Sequence, residues 1–101
     1  MVIVIFEFEV DDTGQDRYFE LAAVLRDEAE KIEGFIQVER FENIHKPGCF
    51  VSISTWENME SVRVWKEHVE HFSAQQEAKD TSIFKHYRIR VAEVIRDYGS
   101  D

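Results

Sequence analysis

The chain has 101 residues, the length of one domain, and its 44% hydrophobic content suffices for a core. A formal net charge of −9 excludes the phosphate neutralisation that drives duplex nucleic-acid binding, and equally an anionic membrane surface. No stretch approaches the roughly 20 apolar residues of a membrane-spanning helix.

The first six residues, Met1 to Phe6, are apolar, lack a basic flank and run straight into Glu7, Glu9, Asp11 and Asp12, which is not the pattern of a signal peptide. Residues 2–10 read as a strand that alternates at its end through Phe6, Glu7, Phe8, Glu9 and Val10. Thr13-Gly14-Gln15-Asp16 has the form of a capping box. Beyond it Tyr18, Leu21, Ala22, Leu25, Ala29 and Ile32 recur at threes and fours, one face of an amphipathic helix whose left-handed C-cap is expected at Gly34. Residues 35–42 form a second strand, Lys46-Pro47-Gly48 a type II turn, and residues 49–56 a third strand, so the two pair as a hairpin.

Asn58 is placed to cap a second helix with the stripe Met59, Val62, Trp65, Val69 and Phe72. Residues 73–84 are polar and read as a loop, with or without one short helical turn, and residues 86–98 as a long last strand. The only cysteine, Cys49, forms no intrachain disulfide, which suits a reducing compartment and a cytoplasmic location. Its strand setting makes it a small apolar filler ahead of a reactive thiol.

With no repeat, linker or low-complexity segment, residues 1–101 form one α+β domain of order βαββαβ. A ferredoxin-like, four-stranded antiparallel sheet with both helices on one face satisfies that order. A one-sided sheet should alternate cleanly. Instead both parities are apolar in Val2 to Ile5 and again in Ile89 to Ile95, so both faces are expected to be buried. Eight Phe, three Tyr and two Trp are also many rings for one small domain to hide. A homodimer through the second sheet face is the simplest cover.

A cavity, where there is one, belongs between helices and sheet. Trp65 points inward from the second helix, either as core or as a wall against a ligand. His68, His71 and Gln75 form a polar row beside it, a surface feature or a source of a base near neutral pH. His-x-x-His alone does not make a zinc site, which needs three or four converging ligands, and no metal is expected. On the last strand, Arg88 and Arg90 either pair with Glu7, Glu9 or Glu39 across the sheet or stabilise an oxyanion. No phosphate loop, nucleophile elbow or cysteine pair is present.

The βαββαβ order resembles the antibiotic biosynthesis monooxygenase superfamily. So do Ser54-Thr55-Trp56-Glu57 leading to Trp65, the segment His68-Val69-Glu70-His71, and the closing stretch from Tyr87 to Tyr98. The resemblance spans the whole chain and implies a dimeric α/β barrel. Within such a family it implies a cofactor-independent monooxygenase acting on a small phenol- or quinol-like aromatic. Trp65 would be a stacking wall, His68 or His71 the base, Tyr87 or Arg88 the support for the anion, and Phe6, Phe72 and Gln75 further substrate contacts. A haem-binding or haem-degrading branch is the alternative. Its Asn on the first strand and its His ten residues after the Trp are not matched here, where Phe6-Glu7-Phe8 and Gln75 stand. A non-catalytic ligand-binding dimer is a further alternative, its interior filled by Phe6, Phe8, Phe50, Trp65 and Phe72.

Overall fold

The computed structural model describes residues 1–76 and 83–100, with the side chains of residues 72–76 left out. Strand β1 is Val2–Glu9, helix α1 Asp12–Ala29, β2 Phe35–Glu42, β3 Cys49–Trp56, helix α2 Met59–Gln76 and β4 His86–Glu93. The strands make one antiparallel sheet of order β2-β3-β1-β4, as the element order predicts.

Opposite residues of antiparallel strands share a face, so the register sorts every side chain. Val2, Val4, Phe6 and Phe8 of β1 stand level with Trp56, Ser54, Ser52 and Phe50 of β3, and with Glu93, Val91, Ile89 and Tyr87 of β4. This is the helix-covered face. Ile3, Ile5, Glu7 and Glu9 stand level with Thr55, Ile53, Val51 and Cys49, and with Ala92, Arg90, Arg88 and His86, on the open face. The mixed alternation of β2 has a local cause: a bulge between Phe35 and Gln37 takes Ile36 out of register.

Four details depart from the sequence reading. Asp11, not Thr13, caps α1; its carboxylate accepts the Gly14 N–H at 2.7 Å, two residues ahead of the expected box. Asp and Thr are both good caps, and the earlier one adds length to the helix. The C-cap of α1 is Glu30 in right-handed geometry, because tighter bonds from Lys31 N–H to Glu28 and from Ile32 N–H to Ala29 wind the chain on before Gly34. Helix α2 runs on through residues 73–76, expected as loop; the rest of that loop up to residue 82 lies outside the described residues. Strand β4 ends at Glu93 rather than Tyr98, because its ladder with β1 ends where β1 does, at the bond from Val94 N–H to the Met1 carbonyl.

Other expectations hold. Lys46 to Cys49 is a turn closed by the Cys49 N–H on the Lys46 carbonyl, with Gly48 at φ +88° as a type II turn requires. Asn58 caps α2, its side chain accepting the Ser61 N–H at 2.9 Å. Gly34, at φ +96°, starts β2 against α2: a Cβ there would lie 2.8 Å from Ser61 Cβ and closer still to Ser61 Oγ. Gly34→Ala is therefore expected to cost roughly 2–4 kcal/mol through backbone strain and overpacking. Urea unfolding measures it, and a cost below 1 kcal/mol would mean that the loop re-forms without strain.

The core has two parts. One cluster joins Val2, Ala29, Trp56 and Val62, with Val4, Ile32, Phe35 and Trp65 against it. The other joins Phe8, Val10, Tyr18, Phe50 and Ile83, with Phe6, Phe19, Leu21, Ala22 and Phe84 against it. Between them, on the helix-covered face of the central strand β3, stand two small polar residues, Ser52 and Ser54. The stripe of α2 is also less uniform than its spacing suggests, with Met59 exposed and Ser61 buried beneath Gly34.

Candidate active site

The site is built from Trp56 outward. Among the described residues Trp56 is the most deeply buried large side chain, with no exposed surface, and donates its indole N–H to Ser54 Oγ at 2.9 Å. The Trp65 ring, brought down by α2, stacks on it with centroids 5.8 Å apart and planes 28° off parallel. His68, one turn on, stacks on Trp65 in turn at 5.9 Å and 25°. His68 Nε2 lies 3.0 Å from Glu28 Oε1 of α1. The other Glu28 oxygen, Oε2, accepts from Lys31 Nζ at 2.8 Å.

Glu28 holds its carboxyl below the usual range, first through the Lys31 hydrogen bond and next through that of His68. It is therefore a carboxylate at neutral pH. The result is an ordered row from the sheet to the gap between the helices: serine, two indoles, an imidazole and a carboxylate. The imidazole side chain is 38% exposed, so a bound molecule can reach it.

A second aromatic group flanks the serines on the same face. Phe6 meets Phe84 at 5.4 Å and Tyr87 at 5.8 Å, both edge-on. Tyr87, Ile89 and Val91 are 61%, 54% and 48% exposed although they belong to the helix-covered face, which leaves an apolar shelf along edge strand β4. Tyr18 stays a neutral phenol, because burial raises its pKa and a hydrogen bond from Arg40 offsets this only in part.

The candidates named from sequence are therefore distributed as follows. Trp65, His68, Phe6 and Tyr87 share the helix-covered side. His71 is one turn beyond His68 and exposed. Phe72 and Gln75 lie on α2, with side chains outside the described atoms. Arg88 is on the open face, where it and Arg90 both hold Glu7, at 2.7 and 3.0 Å. That is the cross-strand pairing weighed at the start. Among the described residues no three His, Cys, Asp or Glu converge on a metal site, and no helix is long and apolar enough to cross a membrane.

Two concavities lie away from this row. One, of about 480 Å³, is at the Cys49 end of the sheet between the β2–β3 hairpin and β4; the other, of about 550 Å³, is under Lys31 and Asn58. Neither hollow includes Trp65 or His68, and the first is lined in part by Tyr87 and Arg88.

The arginine cluster has a pH signature. Glu7 is held below its usual 4.5, first by the Arg88 hydrogen bond and then by the charges of Arg88 and Arg90. A depressed carboxyl contributes stability above its unfolded value and loses it as pH falls through its folded value. Glu7→Gln is expected to be less stable than the wild type at neutral pH, with a shallower loss of stability below the carboxylate range. Melting curves from pH 7 down to 3 test this, and parallel profiles would show that the cluster contributes nothing.

A profile of the antibiotic biosynthesis monooxygenase family matches residues 1–78. The chain belongs to this family. A protein of Pyricularia oryzae named jasmonate monooxygenase is 33% identical over 101 residues, all of this chain and 46% of its own length. The chain thus spans about half of that relative. Among solved structures, the cofactor-independent oxygenase SnoaB of Streptomyces nogalater superposes with a TM-score of 0.77 at 13% identity, over 98% of this chain and 97% of its own. The haem degrader MhuD of Mycobacterium tuberculosis, solved with two haems in its active site, gives 0.73 at 17% identity, over 98% and 100%. At such identities these two establish the fold alone.

Sequence reasoning missed Glu28 and the two serines. Glu28 had a signal. It falls on the stripe spacing Leu21, Leu25, Glu28, Ile32, a charge where an apolar residue is expected.

Proposed function

We propose that the chain is a cofactor-independent monooxygenase that oxidises a small phenol- or quinol-like aromatic with molecular oxygen. The observation that carries this reading is the imidazole of His68, anchored on a carboxylate and stacked on Trp65, with an apolar shelf on the same side of the sheet. His68 takes the phenolic proton, and Trp65, Phe6 and Tyr87 hold the ring. With Arg88 engaged on the other face, the anion is balanced by the imidazolium formed in the same step. Conversion of a phenol to a quinone then consumes one O2, places one oxygen on ring carbon and releases the other as water. The substrate supplies all four electrons, so no cofactor enters the balance.

The residues fit haem degradation poorly. The helix-facing positions of β1 are Val2, Val4, Phe6 and Phe8, with no asparagine, and His68 Nε2 is engaged by Glu28. Oxygen uptake with hydroquinones, an anthrone and jasmonate tests the reading. Turnover without added metal or haem supports it. A saturable Soret shift on haemin titration together with no oxygen uptake overturns it in favour of haem.

The open face completes the proposed assembly. Ile3, Ile5, Val51, Ile53 and Ala92 form its apolar centre, Phe41 at its β2 edge is 49% exposed, and no described element covers it. A second copy packed sheet to sheet is the proposed cover. Sedimentation is expected to give twice the chain mass at micromolar concentration, and Ile5→Lys to give the monomer. A monomeric wild type would sink the dimer.

A further inference from the structure

We infer that Glu28 is the positioning residue that sets His68 as the base of this site. The inference rests on the monooxygenase reading and goes beyond it by naming the nitrogen that takes the proton. Two constraints act on one ring. The stack on Trp65 fixes the plane of the imidazole, and Trp65 is itself backed by the fully buried Trp56. The contact between Nε2 and Glu28 Oε1 fixes rotation within that plane. A carboxylate only accepts, so Nε2 must carry the hydrogen and donate it, and Nδ1 becomes the nitrogen with the lone pair. When Nδ1 takes the phenolic proton, an O–H bond breaks, an N–H bond forms, and the new imidazolium rests against a charge already in place.

Glu28 is itself held. Lys31 occupies its second oxygen, so the carboxylate is drawn from both sides and remains ionised. The charged groups of this set are Glu28 and Lys31 of α1. Beneath it the sheet presents Val4, Phe6, Ser52 and Ser54, with Val38 and Arg40 of β2 on the same face, Arg40 lying over the Tyr18 and Phe19 rings.

The test reads the free protein first. In histidine labelled with 15N, the shifts of His68 in its neutral form are expected to show hydrogen on Nε2 and none on Nδ1, and Glu28→Ala to relax this balance. Hydrogen on Nδ1, or an identical balance in Glu28→Ala, overturns the inference whether or not any phenol is oxidised. With the substrate that gives oxygen uptake, Glu28→Ala is expected to lower kcat by about tenfold to a hundredfold, part of the 10²–10⁴ that a base supplies, with KM little changed. Glu28→Gln keeps an acceptor for Nε2 but removes the charge. It is expected to retain the tautomer while losing part of kcat, with KM little changed, because the imidazolium has lost its counter-charge. Wild-type kcat in both variants reduces Glu28 to a packing role and overturns the inference. Absent oxygen uptake with the expected tautomer counts against the monooxygenase reading alone.

Discussion

His68→Ala is expected to lower kcat for phenol oxidation by about 10²–10⁴ while leaving the melting temperature nearly unchanged. The activity loss follows from the proton step. A phenol surrenders electrons to oxygen far more readily as its anion, and His68 is the imidazole held between an indole and a carboxylate. The small stability effect follows from exposure. At 38% exposed, the His68–Glu28 contact is a partly solvated pair, a class that contributes little to folding. His71→Ala is the internal comparison, expected to retain most activity. Equal losses in the two variants would mean that the histidines act as a row, and full activity in His68→Ala would remove the proposed mechanism.

Trp56→Ala is expected to have the largest effect on stability, about 3–5 kcal/mol. The side chain has no exposed surface, meets Phe35 edge-on at 5.3 Å, backs Trp65 and donates to Ser54. Its loss opens a cavity at the centre of one of the two core clusters and orphans a hydrogen-bond partner. A domain of this size has a total of about 5–15 kcal/mol, so the variant stands near the edge of folding. Trp56→Phe fills most of the space without the N–H and is expected to recover more than half of the loss. Urea denaturation of the two variants separates the terms. A cost under 1 kcal/mol for Trp56→Ala would show that Trp65 collapses into the space.

Much of the fold was legible because its signals are periodic. Element order, hairpin turn and both helices follow from alternation, from threes and fours, and from Pro47-Gly48 and Asn58. The boundaries that moved depended on partners. Residues 94–98 have good strand composition, yet β4 stops where β1 offers nothing more to pair with. The site was half legible. Trp65 and His68 stand out on α2, but their meaning comes from Glu28, 40 residues earlier in the chain, and from the face on which each strand residue lands. Arg88 and Tyr87 are adjacent in sequence and on opposite sides of the sheet. One step along a strand separates an ion pair with Glu7 from the aromatic wall.

The stacked row also has an optical consequence. The chain has two tryptophans, and both are in the row, in contact with each other, one of them against the imidazole. All indole emission from this protein therefore arises inside the candidate site. Excitation passes between rings 5.8 Å apart before it is emitted, and an imidazolium against Trp65 is an efficient quencher. The intrinsic fluorescence of the unlabelled protein is therefore expected to respond to any ring that slides in beside Trp65.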